Sequence, residues 1–253
     1  MTLNDIYHAI DPVALSLGPL QIRWYGLAYV AGFICAFLVI AKLSQRWKIR
    51  INDDAFFTVV FCVIFGVILG GRLGYVLVYG DGYYLQHPEK ILAFNEGGMS
   101  FHGGLVGVII GGVIAAKITK IPFLTLADMG VVGVPIGLFF GRCANFINGE
   151  LWGAPTDMPW GVVFGGAAGT MPRHPSQLYE ALLEGVVLFI ILFALSRKTP
   201  ARPRGTFFGT FLLFYGLFRF TIEFIRQPDA QIGYLLGTHW FTMGQALSIP
   251  LMV

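Results

Sequence analysis

The chain has 253 residues, of which 56% are hydrophobic and only 12% are Asp, Glu, Lys or Arg, with a formal net charge of +3. Ordinary soluble domains carry roughly a quarter charged residues, and the interior of a domain this size grows too slowly with length to hide so much apolar surface. A soluble globular protein is therefore excluded, and the modest charge, with no basic run interleaved with aromatics, does not point to nucleic acid.

Met1–Gly18 has no basic segment leading into an apolar core and a small-residue cleavage site, so no cleavable signal peptide is expected. Apolar stretches of the length a bilayer requires, about 17–25 residues, then follow at Ile22–Ala41, Ala55–Val78, His102–Thr119, Phe123–Gly141, Gln177–Leu195 and Thr206–Phe224, with a shorter seventh from Trp240 to Val253. The expected fold is all-α: a polytopic membrane protein of about seven helices, residues 1–253 forming one integral membrane domain. Lys42, Arg46, Lys48 and Arg50 follow the first span, Lys117 and Lys120 end the third, and Arg197, Lys198, Arg202 and Arg204 follow the fifth. Cations concentrated in alternate loops mark the cytoplasmic side, which puts the N-terminus outside and the C-terminus inside. The loops near 79–101, 142–176 and 225–239 then face away from the cytoplasm. Inverted repeats, a common transporter signature, are not evident between the halves. Cys35, Cys62 and Cys143 are an odd number and read as small apolar packing residues, not as a disulfide framework.

Ionisable residues inside membrane helices are functional candidates, since placing one there costs roughly 2.5–3.5 kcal/mol on the insertion scale. Tyr215, Arg219 and Glu223 recur every four residues in the sixth span and share one helical face. A purely structural reading makes Arg219 and Glu223 a self-neutralising intrahelical pair. Near the outer end of the fourth span lies Gly141-Arg142-Cys143-Ala144-Asn145-Phe146-Ile147-Asn148-Gly149-Glu150-Leu151-Trp152-Gly153. Arg142 and Asn145 share a face, and Asn148-Gly149 ends the helix. A helix cap would account for some of this. A fixed cation beside amide donors is also what a phosphate group requires, and two arginines at one depth point to an anionic headgroup. His102, in Gly97-Gly98-Met99-Ser100-Phe101-His102-Gly103-Gly104, opens the third span. It reads either as a hydrogen-bonded interface residue or as a base, since imidazole titrates at about 6.5. Glu180 is a candidate partner for one of the arginines, and Arg72 in Gly70-Gly71-Arg72-Leu73-Gly74 is expected to meet an acidic residue. The remaining histidines lack metal-ligand spacing, so no metal or other cofactor is expected.

These residues resemble a known family. The run Gly141–Gly153 is similar to the prolipoprotein diacylglyceryl transferase signature G-R-x-G-N-F-x-N-x-E-x-x-G, differing only in Ala144 where Gly is usual. Arg23-Trp24-Tyr25-Gly26, Gly70–Tyr75, His102-Gly103-Gly104, His174–Glu180 and Tyr215–Phe220 also match, in the family's order. The resemblance implies a bacterial inner-membrane enzyme with its site toward the periplasmic face. It implies transfer of the sn-1,2-diacylglyceryl group of phosphatidylglycerol to the lipobox cysteine of preprolipoprotein signal peptides, with release of glycerol 1-phosphate. It further implies that His102, Arg142, Asn145, Gly153 and Arg219 matter most, supported by Tyr25, Glu150, Tyr215 and Glu223. On that reading the arginines bind phosphate with help from Asn145, His102 is the candidate base, and Glu150 and Glu223 orient the arginines. Two other classes remain open from sequence. A lipid or anion transporter would move its ligand without covalent change, and a metal-dependent phosphatidyltransferase would need an Asp-rich helical motif, which is not found.

Overall fold

The computed structural model describes residues 1–18, 20–49, 51–79, 82–93, 100–197, 202–228 and 233–253, with the backbone alone at 20, 29, 78, 79, 101 and 102. The chain is mostly helical and divides into two compact units, residues 1–43 with 129–253, and residues 44–128. Among the described residues, four helical stretches are long and apolar enough to cross a membrane: Trp24–Arg46, Asp53–Leu77, Phe123–Asn148 and Ser176–Ser196. Two shorter apolar helices cover Gly103–Thr119 and Thr206–Ile222.

Burial is distributed as lipid demands. Large apolar side chains face outward, including Phe33 at 70% exposure and Ile190 at 58%, while Arg72, Gln177, Glu180, Glu184 and Gln245 are among the largest fully buried residues. Water would penalise that arrangement; hydrocarbon outside and polar groups satisfied inside favour it.

In the unit 44–128, helix α3 (Asp53–Tyr79) packs along α5 (Phe101–Thr119), with the short α4 (Tyr83–Gln86) and a 3₁₀ turn (Pro88–Lys90) between them in sequence. Gly66 and Gly70 of α3 face Gly103 and Gly107 of α5, so close that an added Cβ on any of them would overlap backbone of the other helix. Small residues four apart permit this backbone approach, and without a hydrophobic drive between helices such packing supplies much of the association. Ser100 caps α5, its Oγ accepting from Gly103 N at 3.2 Å.

The larger unit opens with features the hydropathy pattern does not reveal. Helix α1 (Leu3–Ala9) is closed by a reciprocal Thr2–Asp5 capping box. Strands β1 (Val13–Leu17) and β2 (Leu20–Arg23) pair antiparallel as a two-stranded hairpin, a small departure from an all-helical chain. Ile22 and Arg23, expected to open the first span, therefore belong to β2, and α2 runs from Trp24 to Arg46. Helix α6 (Phe123–Asn148) does not stop at Gly141 but continues through Asn148. Helix α7 (Ser176–Glu180) passes into a π-helical segment, Ala181–Val187, and then into α8 (Leu188–Ser196). Helix α9 (Thr206–Ile222) stops two residues short of the expected Phe224, and α10 (Met243–Met252) follows a Thr242–Gln245 capping box.

Gly107→Ala is expected to destabilise the protein by about 1–3 kcal/mol, the usual cost of overpacking, because its methyl meets the Gly66 carbonyl. Gly104→Ala, whose Cβ would find its nearest neighbour at 3.8 Å, is expected to be near neutral. Thermal unfolding of both variants in detergent checks the pair.

Candidate active site

Glu180 is the centre of the larger unit's polar interior. It ends α7 with no exposure. Arg142, from the last two turns of α6, places Nε 2.5 Å from Glu180 Oε2, as an ion pair whose N–H is not aligned for a hydrogen bond. Arg219, from α9, donates from Nη1 to Glu180 Oε1 at 3.0 Å. Arg226, just past α9, donates from Nη1 to the same oxygen at 3.3 Å. Arg219 also pairs through Nη2 with Glu223 Oε1, and Thr242 Oγ1 donates to Glu223 Oε2 at 2.6 Å. One carboxylate thus holds guanidinium groups from separate helices side by side.

Local sequence makes this approach possible. Gly185, in the π-helical segment, lies against Phe139 of α6, where a Cβ would sit 2.7 Å from Phe139 Cβ. That contact draws α6 against the α7 continuation, and Arg142 lies three residues beyond Phe139, about one turn along. Gly244 plays the same part at α10, leaving space for the Glu223 carboxylate. Helical segments with π geometry recur at functional sites, since the widened turn re-aims its side chains.

A second polar knot fixes the end of α6. Asn145 Nδ2 donates to Glu150 Oε1 at 2.8 Å and Asn148 Nδ2 to the same oxygen at 3.3 Å. Gln177 Nε2 donates to the Glu150 backbone oxygen at 2.6 Å, and Ser176 Oγ to the Leu151 oxygen at 2.9 Å. The chain reverses at Gly149, whose φ of +67° favours a residue without Cβ. Gly153 then threads between two strands of backbone, its N–H donating to His174 O at 2.9 Å while Ala154 N–H donates to Ile225 O at 2.9 Å. Arg173 lies 4.5 Å over the Trp152 ring and donates to Ala168 O and Gly153 O. Phe146, Val162, Phe164 and Ala168 form an apolar cap packed by Leu3, Tyr7, Trp152 and Leu178. Burial pushes the His174 imidazole below its ordinary value, so it is neutral at pH 7, and its Nδ1 lies 3.2 Å from Tyr179 Oη. Arg226 is pushed down by burial first and by Arg219 next, and is drawn back by Glu180 and Glu223.

Of the residues singled out in the sequence, Arg142, Arg219 and Glu223 meet around Glu180. Tyr215 sits one turn before Arg219, its ring stacked on Phe211 at 5.5 Å, and shares the electrostatic environment of Glu184 and Arg219. Asn145, Glu150 and Gly153 build the adjoining knot. The role expected for Glu150 needs correction: among the described residues its carboxylate holds two amides and no arginine, because the turn at Gly149 folds it back over the end of its own helix. Tyr25 is half-buried in the first turn of α2. His102 is the second residue of α5, and its side chain lies outside the described residues. In the smaller unit Arg72 is 1% exposed and donates from Nε to Ile91 O and from Nη2 to Lys90 O, each at 2.7 Å.

Two participants were not singled out beforehand. Arg226 continues the Arg219–Glu223 face at a further three residues, and Glu184 repeats Glu180 at four. Helical periodicity carried beyond the sixth apolar run finds Arg226, whereas Glu184 lies inside the fifth run, where a charge within an apolar stretch is its signal.

Fold and interior define an integral membrane protein whose helices enclose a cluster of arginines and glutamates. The chain belongs to the prolipoprotein diacylglyceryl transferase family, whose pattern matches residues 12–253. It is 54% identical over 244 residues to the phosphatidylglycerol–prolipoprotein diacylglyceryl transferase of Geobacter sulfurreducens, covering 96% of this chain and 92% of that one. Proteins of the same name from Nitratidesulfovibrio vulgaris strain DP4 and Cupriavidus metallidurans are each 50% identical, covering 96% and 98% of this chain and 91% and 92% of theirs.

Gly153→Ala places a methyl 2.6 Å from Ile225 O and 2.7 Å from His174 Cβ. The backbone that carries Arg226 must then shift. A loss of about 1–3 kcal/mol in stability and a lower lipid affinity are expected, read by thermal unfolding and lipid titration of the same preparation.

Proposed function

We propose that this chain transfers the sn-1,2-diacylglyceryl group of phosphatidylglycerol to the lipobox cysteine thiol of a preprolipoprotein, the first step of bacterial lipoprotein maturation. The reading places it in the inner membrane as one domain of seven spans, N-terminus outside and C-terminus inside, with the site toward the periplasmic face. The cations at 42–50, 117–120 and 197–204 support that orientation. The observation that carries the chemistry is Arg142 and Arg219 brought from α6 and α9 to the two oxygens of Glu180.

The reaction forms a bond between the cysteine sulfur and the glyceryl carbon. It breaks that carbon's bond to the phosphate oxygen, which keeps the electron pair and departs as glycerol 1-phosphate. A free thiol titrates at about 8.5 and must lose its proton to attack. The resemblance assigns that proton to His102. Charge grows on the departing phosphate as the bond breaks. Guanidinium groups already fixed in a dry site meet that charge without reorganising and so favour the transition state over the bound ground state. Asn145 adds a neutral donor at the same helix end, and Glu223, braced by Thr242, orients Arg219. Tyr25, Tyr215 and Gly153 are assigned to substrate binding, and Glu150 holds Asn145 in place.

Purified protein, given phosphatidylglycerol and a lipobox peptide, is expected to raise the peptide mass by one diacylglyceryl unit. Arg142→Lys keeps the charge but loses the planar fork, and a drop of about 100-fold in that transfer is expected. Lipid crossing a vesicle membrane with no change in peptide mass would instead support a transporter. His102→Gln should abolish the mass increase, and near-normal turnover by that variant would move the base role to another group.

A further inference from the structure

With its acids ionised, the buried cluster is electrically balanced before any lipid arrives. Arg142, Arg219 and Arg226 supply three positive charges, and Glu180, Glu184 and Glu223 three negative ones. The acids are not equivalent. Glu180 meets three guanidinium groups, and Glu223 meets Arg219 and the Thr242 hydroxyl. Glu184 is fully buried, yet among the described residues neither of its carboxylate oxygens accepts a hydrogen bond. Among the described residues its closest cationic atom is Arg142 Nη2, at 3.8 Å from Oε2. The charged and titratable groups acting on it are Glu180 on α7, Arg142 on α6, Tyr215 and Arg219 on α9, and Arg226 beyond α9.

An anionic headgroup entering between Arg142 and Arg219 adds a negative charge to a neutral, desolvated site. Burying an uncompensated charge is costly. The cheapest remedy is to neutralise the acid that loses least by accepting a proton, which is the one without hydrogen-bond donors. We propose that binding of phosphatidylglycerol is coupled to uptake of one proton by Glu184, so that the buried carboxylate becomes a carboxylic acid as the phosphodiester arrives. The proton comes from solvent, no covalent bond changes, and the occupied cluster stays neutral. Glu184 is thus a charge-compensating residue for lipid binding and touches neither the thiol nor the glyceryl carbon. The inference rests on the phosphatidylglycerol reading above.

The test is calorimetric titration of the full chain in detergent with short-chain phosphatidylglycerol at pH 8, in two buffers of different ionisation enthalpy. The wild type is expected to take up about one proton per lipid, with affinity weakening about tenfold per unit as pH rises from 8 to 9. Glu184→Gln, a permanent stand-in for the protonated acid, is expected to bind with no buffer dependence and a flat pH profile. Lipid binding by the wild type without proton uptake overturns the inference alone, even if the variant does not fold. Equal uptake by Glu184→Gln also overturns it. No phosphatidylglycerol binding by the wild type would sink the lipid reading and this inference together.

Discussion

Glu180 sits where no solvent reaches, on the one turn of α7 that faces both α6 and α9. Its charge is tolerable only because guanidinium groups surround it, and theirs only because it is there. A buried ion pair of this kind contributes little net stability over apolar packing, but removing one partner leaves a stranded charge at a cost of about 3–5 kcal/mol. The arrangement is therefore specific rather than strong: it dictates which helices meet and at what depth. Arg142 and Arg219 on their own would repel one another; drawn to opposite oxygens of one carboxylate, they stand ready for a second anion.

Close packing serves that arrangement. Gly185 against Phe139 brings α6 to the π-helical segment, and Gly244 leaves room for Glu223. Both contacts would be filled by a single methyl. Beyond the bundle, Gln177 ties the Glu150 turn to α7, so the Asn145 end of α6 and the Glu180 end of α7 are held as one piece. The apolar cap over that turn borrows Leu3 and Tyr7 from α1, which gives the amino-terminal segment a positioning role that its sequence does not advertise.

The membrane class and the helix locations were legible because hydropathy is a bulk property of long windows, and α2, α3, α6 and the Ser176–Ser196 stretch carry it throughout. The hairpin Val13–Arg23 was not, since two strands of five and four residues leave too short a pattern. The end of α6 at Asn148-Gly149 is legible as a helix break, but hydropathy alone stops the span at Gly141, because Arg142, Asn145 and Asn148 lower hydropathy without breaking the helix. Arg219 and Glu223 stand out as charges inside an apolar run, Arg142 as a cation beside amides at the end of another, and Glu180 is legible as an acid near the arginines. That it serves three of them at once was not, because pairing across 38 and 46 residues of sequence depends on how helices pack. Glu150 shows the limit of assigning roles by charge alone: its carboxylate was matched to the arginines but is spent on two neighbouring amides.

The central claim, that two guanidinium groups from different helices grip one lipid phosphate, is tested most directly by a double-mutant cycle on phosphatidylglycerol affinity. Arg142→Lys, Arg219→Lys and the double variant would be titrated beside the wild type. Shared contact with one headgroup predicts single losses that fail to add, by at least about 0.5 kcal/mol. Losses that add within about 0.3 kcal/mol would mean independent sites, and the account of the cluster as a single phosphate clamp would be wrong.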